Sequence, residues 1–218
     1  MRHARDHDAR RVRVSTEFRA GSVCHDRRMP WIEPVTLESE HVRLEPASLD
    51  RLDDVWRAAD DPEIWTFIPF TMQRREDMAL FIEYVNGSGV GFLTVERATG
   101  AIVGGTAFLA PDEANRSLEI GGTWIAPSHQ RSVVNTEAKL LQLTHAFEGL
   151  GCERVYLKTD ARNERSRAAI ARIGATEEGT FRRHMLLPDG TWRDSVYFSV
   201  IRPEWPEVKA RLMSLRVR

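Results

Sequence analysis

The residues best placed to do chemistry are Gln130-Arg131-Ser132-Val133-Val134-Asn135-Thr136, which stand between an alternating segment and a helically periodic one. A helix that opens straight after a strand presents unpaired backbone N–H groups and the positive end of its dipole, so this junction suits an anion such as a pyrophosphate. Upstream, Leu118 to Ile125 alternates, which puts Leu118, Ile120 and Trp124 on one face and Glu119, Gly121, Thr123 and Ile125 on the other. The pattern predicts a half-buried strand carrying an acid, Glu119, beside two small neighbours. Downstream, Leu140, Leu143, Thr144, Phe147 and Leu150 recur at helical spacing, and Gly149 and Gly151 mark the end. Lys139, Gln142, His145 and Glu148 fall largely off that stripe, so an amphipathic helix packed on a sheet is expected.

The elements that must position this junction can be read on either side of it. His41 to Pro46 alternates as a first strand, and Leu49, Leu52, Val55, Trp56 and Ala59 share a helical face that Pro62 limits. Ile64-Trp65-Thr66-Phe67-Ile68-Pro69-Phe70 is unusually aromatic for a connection, as a hydrophobic plug on the core would be. A second helix is expected over Glu76 to Asn86, where Met78, Leu80, Phe81, Ile82 and Val85 are apolar, ending at Asn86-Gly87. Two strands, Gly91 to Glu96 and Ala101 to Leu109, then lead into the Leu118 strand. Arg154 to Asp160 reads as a further strand, parallel to Leu118–Ile125 because a helix connects the two. Asn163 to Ile173 follows as a helix. A hairpin of Phe181–Leu187 and Thr191–Ile201 turns at Pro188-Asp189-Gly190, and a short helix spans Trp205 to Leu215.

The loop residues resemble the acyl-CoA arm of the GNAT acetyltransferases, written in that family as Gln or Arg, two residues, Gly, one residue, then Gly or Ala. Gln130 falls on the first position, Val133 on the central glycine and Asn135 on the last. With Asn135-Thr136-Glu137-Ala138-Lys139, and Asn163-Glu164-Arg165-Ser166 before Gly174-Ala175, the set is similar to the RimJ/RimL-like branch, which acetylates ribosomal proteins. The resemblance runs from about Val35 to Trp205. It implies an α/β (α+β) GNAT acyl-CoA N-acyltransferase fold: a mixed, mostly antiparallel sheet with a splayed parallel pair and helices on both faces. It also implies acetyl-CoA as cosubstrate, no metal, and direct transfer of acetyl to a primary amine. That amine is a protein N-terminal α-amine or belongs to a small molecule; a non-catalytic acyl-CoA-binding module is the alternative.

Transfer from a thioester to an amine needs a positioned thioester, an unprotonated amine, donors at the developing oxyanion and a proton for the departing thiolate. For positioning, the resemblance points to the backbone around Trp124, Ile125 and Ala126, to Gln130, Arg131, Ser132, Val133, Val134, Asn135 and Thr136 for the pyrophosphate, and to Asn163 for the pantetheine arm. Asn163 also suits a helix N-cap. Glu119 is the first-choice base and His184 the second. Many relatives carry a tyrosine acid where this chain has Ile170, so Ser166 is the residue left to serve the departing sulfur. Tyr197 and Asp194 are candidates for shaping the acceptor site. In the resembled family the region between the first helices overhangs that site, so the resemblance implies a pocket wall for Ile64 to Phe70, a reading that stands level with a plug on the core.

Composition bounds the rest. The 218 residues, 42% hydrophobic, suit one α/β domain over 31–218, behind a basic leader over 1–30 that is expected to be disordered. A net charge of -1 argues against a global field for nucleic acid, and no run suggests a membrane span or a signal core. Cys24 and Cys152 are too far apart in sequence to suggest a disulfide framework or metal site. Cytoplasmic location and pairing of exposed sheet edges into a homodimer are the corresponding expectations.

Overall fold

The computed structural model describes residues 31–216, so the leader and Cys24 lie outside the described residues. Eight strands form one sheet: β1 (Leu37–Glu38), β2 (Val42–Pro46), β3 (Gly89–Glu96), β4 (Ile102–Asp112), β5 (Ser117–Ile125), β6 (Arg154–Asp160), β7 (Thr176–Leu186) and β8 (Trp192–Ile201). Their spatial order is β1-β2-β3-β4-β5-β6-β8-β7, with every neighbouring pair antiparallel except β5 and β6. The helices are α1 (Leu52–Ala58), α2 (Pro62–Trp65), α3 (Arg75–Gly87), α4 (Val133–Thr144), α5 (Glu164–Arg172) and α6 (Trp205–Leu215). The mixed sheet, the parallel pair and the helices on both faces agree with expectation. The two-residue β1 is too short to leave a pattern, and β7 starts well before Phe181.

Alternation along the strands divides the core in two. Phe92, Phe108, Leu118 and Val155 pack with α4 and α6, whereas Leu93, Ala107 and Leu109 pack with α1 to α3. Leu49, expected on the apolar face of the first helix, is exposed. Leu49 lies in a 3-10 turn ahead of α1, where Ser48 accepts the N–H of Asp50, so the helical phase starts later than the sequence suggests. Pro62 does more than stop a helix: it is the first residue of α2, behind an Asp61 cap.

The alternation breaks inside β5. Ala107 pairs with Gly121 and Gly105 with Trp124, so two residues, Gly122 and Thr123, stand opposite Thr106 alone. Gly122 takes a φ of +58°, a conformation glycine adopts without steric cost. The bulge reverses the faces beyond it: Trp124 joins the α1–α3 cluster, Ile125 packs on the other, and Thr123 points to α4. The expected grouping of Thr123 with Glu119, and of Trp124 with Leu118, is corrected for that reason.

α4 is also more deeply enclosed than its apolar stripe implies. Glu137, Lys139 and Gln142 are buried, contrary to the expected placement of the last two off the packed face. Glu137 is sealed by hydrogen bonds from the Ser39 hydroxyl at 2.6 Å, the His41 backbone N–H at 3.0 Å and Arg216 Nε at 2.9 Å, with His41 Nδ1 at 3.0 Å. Burial alone would raise its pKa; the bonds from His41, Ser39 and Arg216 outweigh it and hold the carboxyl at about 2. The carboxylate thus joins the β1–β2 turn, α4 and the end of α6.

Because Glu137 ionises more readily folded than unfolded, the unfolded chain takes up more protons as pH falls. The stability Glu137 contributes is complete above its ordinary value of 4.5 and disappears toward pH 2. Glu137→Gln should cost about 3 kcal/mol at pH 7, and urea titrations should show the gap from wild type closing between pH 4.5 and 2.

Candidate active site

β5 and β6 pair only at Ser117–Arg154, Leu118–Val155 and Glu119–Tyr156, although β5 runs on to Ile125 and β6 to Asp160. Beyond Glu119 the strands fork. The fork opens into a cavity of about 350 Å³, within the usual size of a small-molecule site. Ile120 to Thr123 line one side and Leu157 to Thr159 the other, with Asn135 and Lys139 reaching in from α4 and Asn163, Ser166 and Ile170 from α5. Phe67 to Phe70, Phe81 and Tyr84 close the far wall. The aromatic connection is therefore a pocket wall, while Trp65 within it belongs to the core.

At the mouth, Pro127–His129 form a 3-10 turn and Ser132 caps α4 by accepting the N–H of Val134 at 3.2 Å. Arg131 has a φ of +61°, uncommon for a residue with a side chain and a sign of a shaped turn. The N–H groups of Arg131, Ser132 and Val133 have no protein partner among the described residues, which leaves them for an anion. Val134 and Thr136 turn their side chains inward, Thr136 accepting a bond from Arg172 at 3.0 Å, so only their backbones face the turn. Gln130 is braced: its amide donates to the Ile125 carbonyl at 3.2 Å and its oxygen accepts from Arg165 at 2.9 Å. Trp124 and Ala126 are buried and Ile125 half-buried, so these three also offer backbone rather than side chains.

Deeper in, Asn135 lines the cavity and its Oδ1 is buried without a hydrogen-bond partner among the described residues. An orphan acceptor of this kind fits an amide N–H such as those along a pantetheine arm. Asn163 caps α5, its Oδ1 accepting the Ser166 N–H at 2.9 Å, and both residues line the cavity. Glu119 is 4% exposed and pairs with Lys158 Nζ at 2.7 Å. Gly121 beside it has no room for more: a Cβ would meet Glu119 Oε1 at 2.6 Å. His184 stands off the cavity lining, its ring between Ser195 at 3.0 Å and Tyr197 at 3.3 Å. Asp194 is engaged too, accepting the backbone N–H of Arg183 at 2.6 Å.

Three cavity residues escape a reading of the sequence. Lys158 is the partner of Glu119; Arg193, 5% exposed, donates to the Phe67 carbonyl at 3.3 Å and holds the aromatic wall. Lys139 donates to Thr106 at 3.1 Å, Thr123 at 2.9 Å and Gln142 at 3.1 Å. Burial, with no charged neighbour opposing it, lowers its pKa to about 7. The available signals were the scarcity of lysine in an arginine-rich chain and the Gly121-Gly122 pair, which marks a bulge in a strand.

A forked parallel pair with a helix N-terminus at its mouth is the arrangement of an acyltransferase. Residues 41–176 match the family profile described as the acetyltransferase (GNAT) domain, and the chain belongs to that family. A Bacillus subtilis protein named "Putative ribosomal N-acetyltransferase YdaF" is 36% identical over 121 residues, which are 56% of this chain and 63% of that relative. This chain thus spans a little under two thirds of that relative's length. A GCN5-related N-acetyltransferase from Brucella melitensis is similar with a TM-score of 0.79 and 30% identity, over 85% of this chain and 86% of its own. Mycobacterium smegmatis RimJ in complex with CoA-disulfide shares the fold, with a TM-score of 0.71 and 24% identity over 83% and 94%.

The depressed Lys139 pKa makes a stability prediction. Between pH 7 and 10 the unfolded chain binds the Lys139 proton more readily, so folding is favoured as pH rises through that range. Lys139→Met should be more stable than wild type at pH 7, and denaturant titrations should show that advantage shrinking toward pH 10.

Proposed function

We propose that this protein is an acetyl-CoA-dependent N-acetyltransferase that passes the acetyl group directly to a primary amine. The observation that carries the reading is the fork between β5 and β6, with the orphaned Asn135 acceptor inside it and unengaged N–H groups at its mouth. The turn from Arg131 to Val133 takes the pyrophosphate, Asn135 and Asn163 meet the pantetheine arm, and the thioester comes to rest beside Gly121 to Thr123. Acetyl-CoA supplies the activated acyl group; everything else falls to the chain.

The amine nitrogen adds to the thioester carbon, the carbon–sulfur bond breaks, and the amine proton and the thiolate must each be dealt with. Glu119 accepts the amine proton through water, its carboxylate held in place by Lys158. Ser166 faces the departing sulfur and donates to it. An α-amine, with an ordinary pKa of about 7.7 to 8.0, needs only such a modest base. The aromatic wall from Phe67 to Phe70, tied by Arg193, receives the group that carries the amine. The name of the YdaF relative, a putative ribosomal N-acetyltransferase, supports a protein amine as acceptor over a small amine. The cell compartment proposed is the cytoplasm, and β7, an exposed edge strand, is where a second copy would pair.

Calorimetry with acetyl-CoA tests the site. Val133→Asp should weaken binding by at least about tenfold while leaving thermal stability intact, since an acid at a helix N-terminus suits the dipole but repels phosphate. Equal binding by both proteins would remove the turn from the site. With an N-terminal peptide acceptor, Glu119→Gln should lower kcat by about 10²-fold with little change in affinity for acetyl-CoA. Binding without turnover of any amine would favour a non-catalytic acyl-CoA module.

A further inference from the structure

The chemistry above leaves Lys139 without a task. The chain has only three lysines among 31 basic residues, and two of them, Lys139 and Lys158, line the cavity. Lys158 has a carboxylate partner in Glu119. Lys139 has none among the described residues: at 4% exposure it donates, in its protonated form, to three neutral oxygens, Thr106 Oγ1, Thr123 Oγ1 and Gln142 Oε1. Three such acceptors hold the cation in place without cancelling its charge, so its field persists into the cavity.

Packing does not account for this arrangement. A methionine would fill the same volume without desolvating an ammonium. The network carries a second cost, because Gln142 Nε2 is buried with no hydrogen-bond partner among the described residues. A buried charge and an orphaned donor kept together beside a cavity indicate use rather than support.

The route from the ammonium to the reacting atoms runs through one hydroxyl. Thr106 Oγ1 lies 2.8 Å from Thr123 Oγ1 and 3.1 Å from Gln142 Oε1, and because Lys139 already donates to that Gln142 oxygen, the one Thr106 proton is available for the shorter contact with Thr123. Thr123 lines the cavity, belongs to the bulge on the unpaired edge of β5, and then accepts from both Lys139 and Thr106, while its own proton has among the described residues only the Gly121 carbonyl at 3.5 Å as an acceptor. An oxygen that accepts from a cation becomes a stronger donor through its own proton. Thr123 is the hydroxyl of this network that can turn its proton into the fork.

We propose that Lys139 is a positioning residue for acyl transfer, polarising the Thr123 hydroxyl so that it donates to the acyl oxygen of the thioester as negative charge grows there. The proposal rests on the acetyl-CoA reading of the fork and adds a source of electrostatic stabilisation that Glu119 and Ser166 do not supply. No proton leaves Lys139: the hydrogen bond strengthens as the amine adds and relaxes when the carbon–sulfur bond breaks.

Infrared spectroscopy of the protein with acetyl-CoA labelled with carbon-13 at the carbonyl tests it without turnover. In wild type the bound thioester stretch should lie below its frequency in water. In Lys139→Met and in Thr123→Val that downshift should be lost, while calorimetric affinity for acetyl-CoA stays within about threefold. The double variant should show no further change. With a competent acceptor, each single variant should lower kcat by roughly 10²-fold at nearly constant KM for acetyl-CoA, and the double by no more than either. A Lys139→Met protein that binds acetyl-CoA and keeps the wild-type frequency overturns the proposal, as does a Thr123→Val protein that keeps it. Thr123→Val, which preserves shape, stands in if Lys139→Met fails to fold. Absence of binding by wild type would instead refute the acetyl-CoA reading itself, and the proposal with it.

Discussion

The site depends on two parallel strands giving up their ladder. β5 and β6 hold register for three pairs and then part, so from Ile120 onward β5 has a backbone edge that no strand covers. An uncovered edge inside a sheet is expensive unless something else meets its polar groups. Here part of the demand is met by Gln130, which bonds the Ile125 carbonyl, and the remainder faces a cavity. The Gly122 bulge sets the pitch of that edge. It rotates Thr123 toward α4 and drops Trp124 into the opposite layer, where its ring lies 6.0 Å from that of Trp65. One residue in the left-handed region thereby anchors the strand to both halves of the core.

Three buried charges around α4 and the fork show how surroundings assign roles. Glu137 has every lone-pair direction answered by Ser39, His41 and Arg216, and it works as a clamp between distant pieces of chain. Glu119 has one cation, Lys158, and a cavity in front of it, so one side of its carboxylate faces whatever enters. Lys139 has acceptors but, among the described residues, no opposite charge bonded to it. The same helix therefore carries a satisfied charge facing the β1–β2 turn and an uncompensated one facing the fork, two residues apart.

The sequence makes the fold legible wherever its period is uninterrupted. Arg154–Asp160 and Trp205–Leu215 have the expected bounds, and the parallel arrangement of β5 and β6 follows from the connecting helix. Reading fails where geometry departs from period. The alternation of Leu118 to Ile125 assumes a regular strand, and a bulge at Gly122 inverts every face after it. Polar residues at helical spacing read as solvent-facing, yet Lys139 and Gln142 bond each other and two threonines from the sheet, a set of partners brought together only by folding. Arg193 is silent for the same reason, since its partner is a backbone carbonyl more than a hundred positions away. The turn at the mouth of the fork, by contrast, is local, and Ser132 to Asn135 lie where the strand-to-helix junction requires.

The bond from Arg193 to the Phe67 carbonyl has an evolutionary consequence. It joins the aromatic wall to the β7–β8 hairpin, while the anion turn and Asn135 belong to the β5–α4 unit. The two sides of the pocket thus hang from different parts of the chain. Substitutions in the hairpin or the Phe67 segment can reshape one side and leave the other intact. A lineage built on this plan can diversify what it modifies while keeping a fixed donor, because the inherited half and the variable half share a cavity but little scaffold.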